Sequence, residues 1–194
     1  LAWTGGKTIL VQTGDVLDRG AQSRRALDLL MDLVDKAAKQ GGEVRPLLGN
    51  HETMVMMGDL RYVSEGEYAA FAGPDSEQIR ETEYQNYLKY RKQRASRQRK
   101  AGAADDKPDW MKAHPPGYFE FRRAFAPKGK YGSWLRSREA VTQVGDTVFL
   151  HGGLSPDLPM KSIKDVNEQV RREIVQMDQL WGRLVSRGIV WEHM

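Results

Sequence analysis

Three short motifs hold the side chains that could do chemistry: Gly14-Asp15-Val16-Leu17-Asp18-Arg19-Gly20, Gly49-Asn50-His51-Glu52 and His151-Gly152-Gly153. Their residue types suit hydrolysis of a phosphate ester. That reaction meets three obstacles: water is a weak nucleophile, the phosphoryl oxygens carry charge, and an alkoxide leaves poorly. Two metal ions about 3.5–4 Å apart remove the first two, by lowering the pKa of bound water towards ~7 and clamping the oxygens. Asp15 is suited to bridge such ions, Asn50 offers an amide oxygen and His151 an imidazole nitrogen. This oxygen-plus-nitrogen set fits Mn, Fe or Zn better than Ca or a thiolate-bound metal. The third obstacle needs a histidine near the metals but not on them. His51 is the candidate general acid, with Asp18 to hold its imidazole in the right tautomer. Arg19 offers a planar fork to phosphoryl oxygens. Glu52 reads as a structural carboxylate rather than a ligand, and Gly14, Gly20, Gly49, Gly152 and Gly153 as sites of tight turns or close backbone approach.

The elements that must position these residues are legible in the hydrophobic pattern. Thr8 to Thr13 is a short apolar run ending at Gly14, a buried strand by its composition. From Gln22 to Gln40 the period becomes helical, with Leu27, Leu30, Met31, Val34 and Ala38 on one face and an Asp32/Lys36 pair on the other. Gly41-Gly42 ends that helix, and Val44 to Leu48 is a second strand leading into the second motif. The run is a βαβ unit, which places Asp15 and Asn50 at the carboxyl ends of neighbouring parallel strands. Thr53 to Phe71 reads as partly helical, Asp75 to Lys100 as a charged helix, and Ala101 to Pro108 as a loop. Phe119 to Leu135 is aromatic and returns to the core. Gly145-Asp146 between Ala140–Val144 and Thr147–Leu150 marks a hairpin with a type II′ turn, and His151 follows it directly. Lys164 to Val185 reads as helix.

Composition narrows the function classes. With 194 residues, 40% hydrophobic and 29% charged, the chain has the make-up of one soluble globular domain. No stretch reaches the ~18 apolar residues of a membrane span. Cysteine is absent, which excludes disulfides, thiolate metal sites and a thiol nucleophile. The net charge of +4 is local in origin, because Lys89, Arg91, Lys92, Arg94, Arg97, Arg99 and Lys100 alone exceed it. That locality argues against nucleic-acid binding by the whole chain. The run at 89–100 reads as a solvated helix face, with recruitment of an acidic partner as the sharper alternative. Tyr84, Tyr87 and Tyr90 read as helix packing, and His114 as an ordinary loop residue at the surface.

The three motifs, with His151-Gly152-Gly153-Leu154-Ser155-Pro156, resemble the signatures of the phosphoprotein phosphatase family within the calcineurin-like metallophosphoesterases. Val11-Gln12-Thr13, Phe125-Ala126-Pro127 and Tyr131 to Leu135 resemble its bacterial-type, Shewanella-like branch. The resemblance implies an α/β fold, the metallophosphoesterase αββα sandwich, here truncated at both ends. It implies that Asp15 bridges two divalent metals, that Asn50 and His151 ligate the second, that His51 with Asp18 protonates the leaving group, and that Arg19 binds phosphate. The family's Asp-x-His and later Gly-His motifs have no counterpart in the chain, so residues 1–194 are expected to be one partial catalytic domain with a charged helical insertion around 74–117. His193 is not assigned to the missing ligand position. The implied activity is hydrolysis of phosphoprotein monoesters by direct attack of a metal-bound hydroxide. The alternatives are a dinucleoside polyphosphate or other nucleotide phosphohydrolase and, in another class, an inactive fragment or phospho-ligand binding module. Location stays cytoplasmic by default.

Overall fold

The computed structural model describes residues 2–98, 107–159 and 162–193. Strand β1 (Ile9–Gln12), helix α1 (Ser23–Lys39) and strand β2 (Glu43–Pro46) form the expected unit, with β1 and β2 parallel and Leu10 in register with Val44. Among the described residues β1 is hydrogen-bonded to β2 alone. Trp3, Ala37 and Val44 form a small core with Leu30, Leu33 and Val34, so α1 covers β2 more than β1. Ile9 and Leu10 are therefore 41% and 43% exposed, and β1 is not the buried strand its composition suggests. The α1 face is also shifted slightly: Ala37 is fully buried, whereas Ala38 is exposed. Lys36 meets Asp32 at 2.6 Å as the spacing predicts.

Helices α2 (Asn50–Met57) and α3 (Glu65–Ala69) occupy the region read as partly helical, and α4 (Ser76–Gln98) is the long charged helix. Arg99, Lys100 and residues 101–106 of the loop expected at 101–108 lie outside the described residues, while Lys107 and Pro108, read as its end, open a helix. Helix α5 (Lys107–Ala113) precedes α6 (Tyr118–Phe125) and α7 (Lys130–Arg136). Phe121, Phe125, Tyr131 and Leu135 from α6 and α7 are buried with Leu17, Leu48, Val55 and Ile174, which ties the motif loops to the main core. A second cluster gathers Tyr84, Trp110, Phe119 and Trp191 with Tyr87 and Tyr90 nearby, so the tyrosines of α4 are packing residues. His114 stacks on Trp110 at 4.2 Å within it, and burial pushes its imidazole below the ordinary value; it is not a surface loop residue.

Strands β3 (Val141–Val144) and β4 (Thr147–Leu150) form the hairpin, and α8 (Ile163–Ser186) follows. Gly145 has φ 57° while Asp146 stays out of the left-handed region, as a II′ turn requires. A parallel bridge between Leu47 and Glu139 joins the two small sheets. Asn167 of α8 fixes the hairpin base: its Oδ1 accepts from the Ala140 and Val141 amides, and its Nδ2 donates to the Val141 carbonyl at 2.8 Å. Arg136 makes a two-point ion pair with Asp178 at 2.8 and 2.9 Å, holding α8 against α7. No helix among the described residues is long and apolar enough to cross a membrane.

Candidate active site

The first two motifs are held together by one buried carboxylate. Glu52, 1% exposed, accepts from the amides of Asp15 and Gly49 through Oε2 at 2.8 Å each. Its Oε1 accepts from Val16 at 2.8 Å and Leu17 at 3.3 Å. These are charge-assisted bonds to backbone donors that would otherwise be stranded away from water. The two turns also touch backbone to backbone. A Cβ on Gly14 would lie 2.5 Å from the Gly49 amide nitrogen, and one on Gly49 would lie 2.3 Å from Asp15 Oδ1. Gly20, Gly152 and Gly153 face open space with ordinary φ, so the need for glycine falls on Gly14 and Gly49. Asp15, Asp18 and Arg19 themselves adopt φ of 57°, 69° and 59°. Three non-glycine residues in the left-handed region within one motif mark a strained turn, held by the bonds of Asp15 to Glu52, Asp18 to His51 and the Arg19 amide to the Tyr62 carbonyl.

The strained turn brings the motif side chains together. Asp18 Oδ2 lies 2.7 Å from His51 Nδ1, and both side chains are 2% exposed. A carboxylate accepts, so Nδ1 carries the proton and Nε2 points away from Asp18, lying 3.9 Å from Asp15 Oδ2. Asp15 Oδ1 accepts from the His51 amide at 3.1 Å, which fixes the carboxylate and leaves Oδ2 to face His151 Nε2 at 3.1 Å. Asn50 Oδ1 lies 3.1 Å from the same nitrogen. The Thr13 carbonyl can only accept, so His151 Nδ1, 3.0 Å away, donates to it. In neutral His151 the Nε2 lone pair then confronts two oxygen acceptors.

A cation resolves that confrontation, and the donor set fits one: carboxylate oxygen, amide oxygen and imidazole nitrogen, with the imidazole oriented by a backbone carbonyl. Among the described residues no three His, Cys, Asp or Glu side chains gather as a metal site; the third donor here is the amide of Asn50. His193 is elsewhere, buried against Phe119 with Nε2 3.6 Å from Glu83.

Arg19 is exposed, with its guanidinium carbon 5.4 Å from the centre of the Tyr62 ring. Tyr62 also meets the His51 ring at 5.2 Å. Sequence reasoning passed over Tyr62, since nothing in its spacing from His51 marks it. It also left the four-donor role of Glu52 undefined, although a glutamate three residues after a helix-starting glycine is a capping signal. A cavity of about 690 Å³ opens beside Asn50 and His151, walled by Leu150, Leu154, Val166 and Val170.

Residues 4–191 match the calcineurin-like phosphoesterase family. The chain is 33% identical over 174 residues to Shewanella-like protein phosphatase 2 of Arabidopsis thaliana, covering 87% of this chain and 43% of that protein. It is 26% identical over 195 residues to Shewanella-like protein phosphatase 1 of Plasmodium berghei, covering 97% and 42%. The solved cold-active protein-tyrosine phosphatase of a psychrophilic Shewanella species superposes with a TM-score of 0.58 at 25% identity, over 89% of this chain and 40% of that one. The chain thus spans less than half the length of these relatives. Metal dependence is a property of the family the match names, and the converging oxygens and nitrogen agree with it. The chain belongs to the calcineurin-like phosphoesterase family.

Proposed function

We propose that this chain carries most of the active site of a divalent-metal-dependent phosphomonoesterase acting on phosphoproteins. The observation that carries the reading is the buried Asp18–His51 pair beside the Asp15, Asn50 and His151 donors. Asp15, Asn50 and His151 are the residues that would hold divalent metal. When bound, the ions would supply an acidified water and charge neutralisation for the phosphoryl oxygens. His51, held by Asp18 through Nδ1, acts in its doubly protonated form and gives the Nε2 proton to the leaving oxygen. Arg19 binds the phosphoryl oxygens through its fork, which explains a left-handed, exposed arginine beside the buried pair. Similarity to Shewanella-like protein phosphatases and to a protein-tyrosine phosphatase supports a phosphoprotein substrate.

In the intact protein, His51→Asn is expected to lower kcat on a phosphopeptide by about 10²–10⁴-fold with the fold retained. Asp15→Asn should lose both activity and bound divalent metal, measured by elemental analysis. Wild-type turnover in either variant, or faster hydrolysis of a dinucleoside polyphosphate than of any phosphopeptide, would overturn the reading.

A further inference from the structure

Tyr62 has no part in the hydrolysis outlined above, yet it touches both the side chain assigned to the leaving group and the one assigned to the phosphate. It lies in the turn between α2 and α3, held by an Asp59–Arg61 ion pair at 2.8 Å and a Val63 amide donating to the Leu60 carbonyl at 3.0 Å. Its ring is tilted 55° to that of His51, with centroids 5.2 Å apart. The Arg19 amide donates to its carbonyl at 3.4 Å, and the guanidinium lies 5.4 Å from its ring. Tyr62 is nonetheless 43% exposed, while His51 beside it is 2% exposed. A fixed aromatic ring therefore stands in solvent at the entrance to a buried proton donor.

We propose that Tyr62 is a specificity-determining residue whose exposed ring stacks on an aryl leaving group, so that the site favours phosphotyrosyl over phosphoseryl chains. This rests on the phosphomonoesterase reading. Water adds to phosphorus as the bond to the phenol oxygen breaks, and that oxygen takes the Nε2 proton of a doubly protonated His51, whose Nδ1 stays bonded to Asp18. During that transfer the phenol ring lies close to the His51 ring and hence to Tyr62. Offset or edge contacts between rings at such distances are worth about three- to tenfold in an equilibrium. A seryl leaving group brings only a methylene and forgoes the contact. A Tyr62 that merely held Arg19 would affect both substrates alike, because both present the same phosphoryl group.

The test uses the intact protein, loaded with metal, and two peptides that differ only in carrying phosphotyrosine or phosphoserine. Tyr62→Phe should leave both values of kcat/KM within about twofold. Tyr62→Leu should lower the phosphotyrosyl-to-phosphoseryl ratio of kcat/KM by about three- to tenfold, mostly through KM. An equal loss on both peptides, or an unchanged ratio, overturns the proposal. Should Tyr62→Leu not fold, inhibition of the wild type decides: phenylphosphonate binding more tightly than methylphosphonate supports stacking, and equal inhibition refutes it. Failure of the wild type to hydrolyse either peptide overturns the phosphatase reading itself, a result distinct from an unchanged ratio.

Discussion

The motif turns and the aromatic cluster of α4, α5 and α6 each bury a histidine beside a carboxylate, and they use it differently. His51 meets Asp18 at 2.7 Å, whereas His193 stands 3.6 Å from Glu83. Asp18 gives its Oδ2 to His51, while Glu83 is already engaged by Arg123 at 2.7 Å and Asn86 at 3.2 Å. Around His51 the backbone is strained and polar, with three left-handed non-glycine residues. Around His193 the neighbours are rings: Phe119 lies 5.1 Å away and Trp191 5.3 Å. One region spends stability to hold polar atoms in place, and the other uses histidine as one more aromatic ring. A buried histidine–carboxylate pair therefore marks chemistry only where distance, exclusivity and backbone strain agree.

The sharpest way to break this comparison is to remove the carboxylate from each region. Glu52→Ala strands four amides, two buried and two partly buried, at roughly 1–3 kcal/mol each before relaxation and water entry, so a net loss of about 4 kcal/mol in urea unfolding is expected. Activity should fall with it, since Asp15 and Asn50 lose their shared anchor. Glu83→Gln should cost at most about 1 kcal/mol, because its Arg123 partner is 52% exposed. Equal losses would mean that the motif turns are no more dependent on their polar core than the aromatic cluster is.

A smaller effect separates the histidines by pH. Burial, the largest influence, pushes His193 below its ordinary value of 6.5, and burial does the same to His114. Both are then neutral in the fold and bind protons more readily in the unfolded chain. Their contribution is complete above pH 6.5 and is lost as pH falls below it towards the depressed folded values. His193→Phe should therefore flatten the fall in stability between about pH 7.5 and about pH 5.5, while turnover stays within about twofold of wild type. An undiminished slope would show that the acid sensitivity arises elsewhere.

How much of this was legible beforehand follows the same division. The βαβ unit, the II′ hairpin and the long helices could be read because apolar period and glycine placement are local properties. The motif residues proposed for the site stand out because carboxylate, amide and imidazole are groups suited to holding metal and moving protons in phosphoryl transfer. Exposure of Ile9 and Leu10 could not, since strand composition says nothing of which neighbours will cover it. His114 was misplaced because a stacking partner four residues away, Trp110, matters only once α5 has closed its last turn. The left-handed backbone at Asp15, Asp18 and Arg19 is held by tertiary bonds that no local pattern announces: the Asp15 amide to Glu52, the Asp18 carboxylate to His51 and the Arg19 amide to the Tyr62 carbonyl.

The smallest test concerns the contact joining α1 to α7, away from both regions. Asp28 accepts from Lys130 at 2.5 Å and from Tyr131 at 2.9 Å. Partial burial raises its carboxyl, but the hydrogen bonds from Lys130 and Tyr131 and the charges of Lys130 and Arg24 outweigh it, leaving the group below its ordinary 3.8. A depressed folded value means that the stabilisation is present above about pH 4 and disappears as pH falls through the folded value. Asp28→Asn should lower stability by less than about 1 kcal/mol at neutral pH, since Asp28 and Lys130 are 42% and 59% exposed. The same substitution should cost progressively less as pH falls below about 4, as the wild-type carboxyl takes up its own proton. Turnover should be unchanged throughout, because Tyr131 keeps its packing against Phe125 and the motif turns keep Glu52. A loss of activity from Asp28→Asn would instead show that α1 transmits strain to Asp15, and the separation between scaffold and site would have to be redrawn.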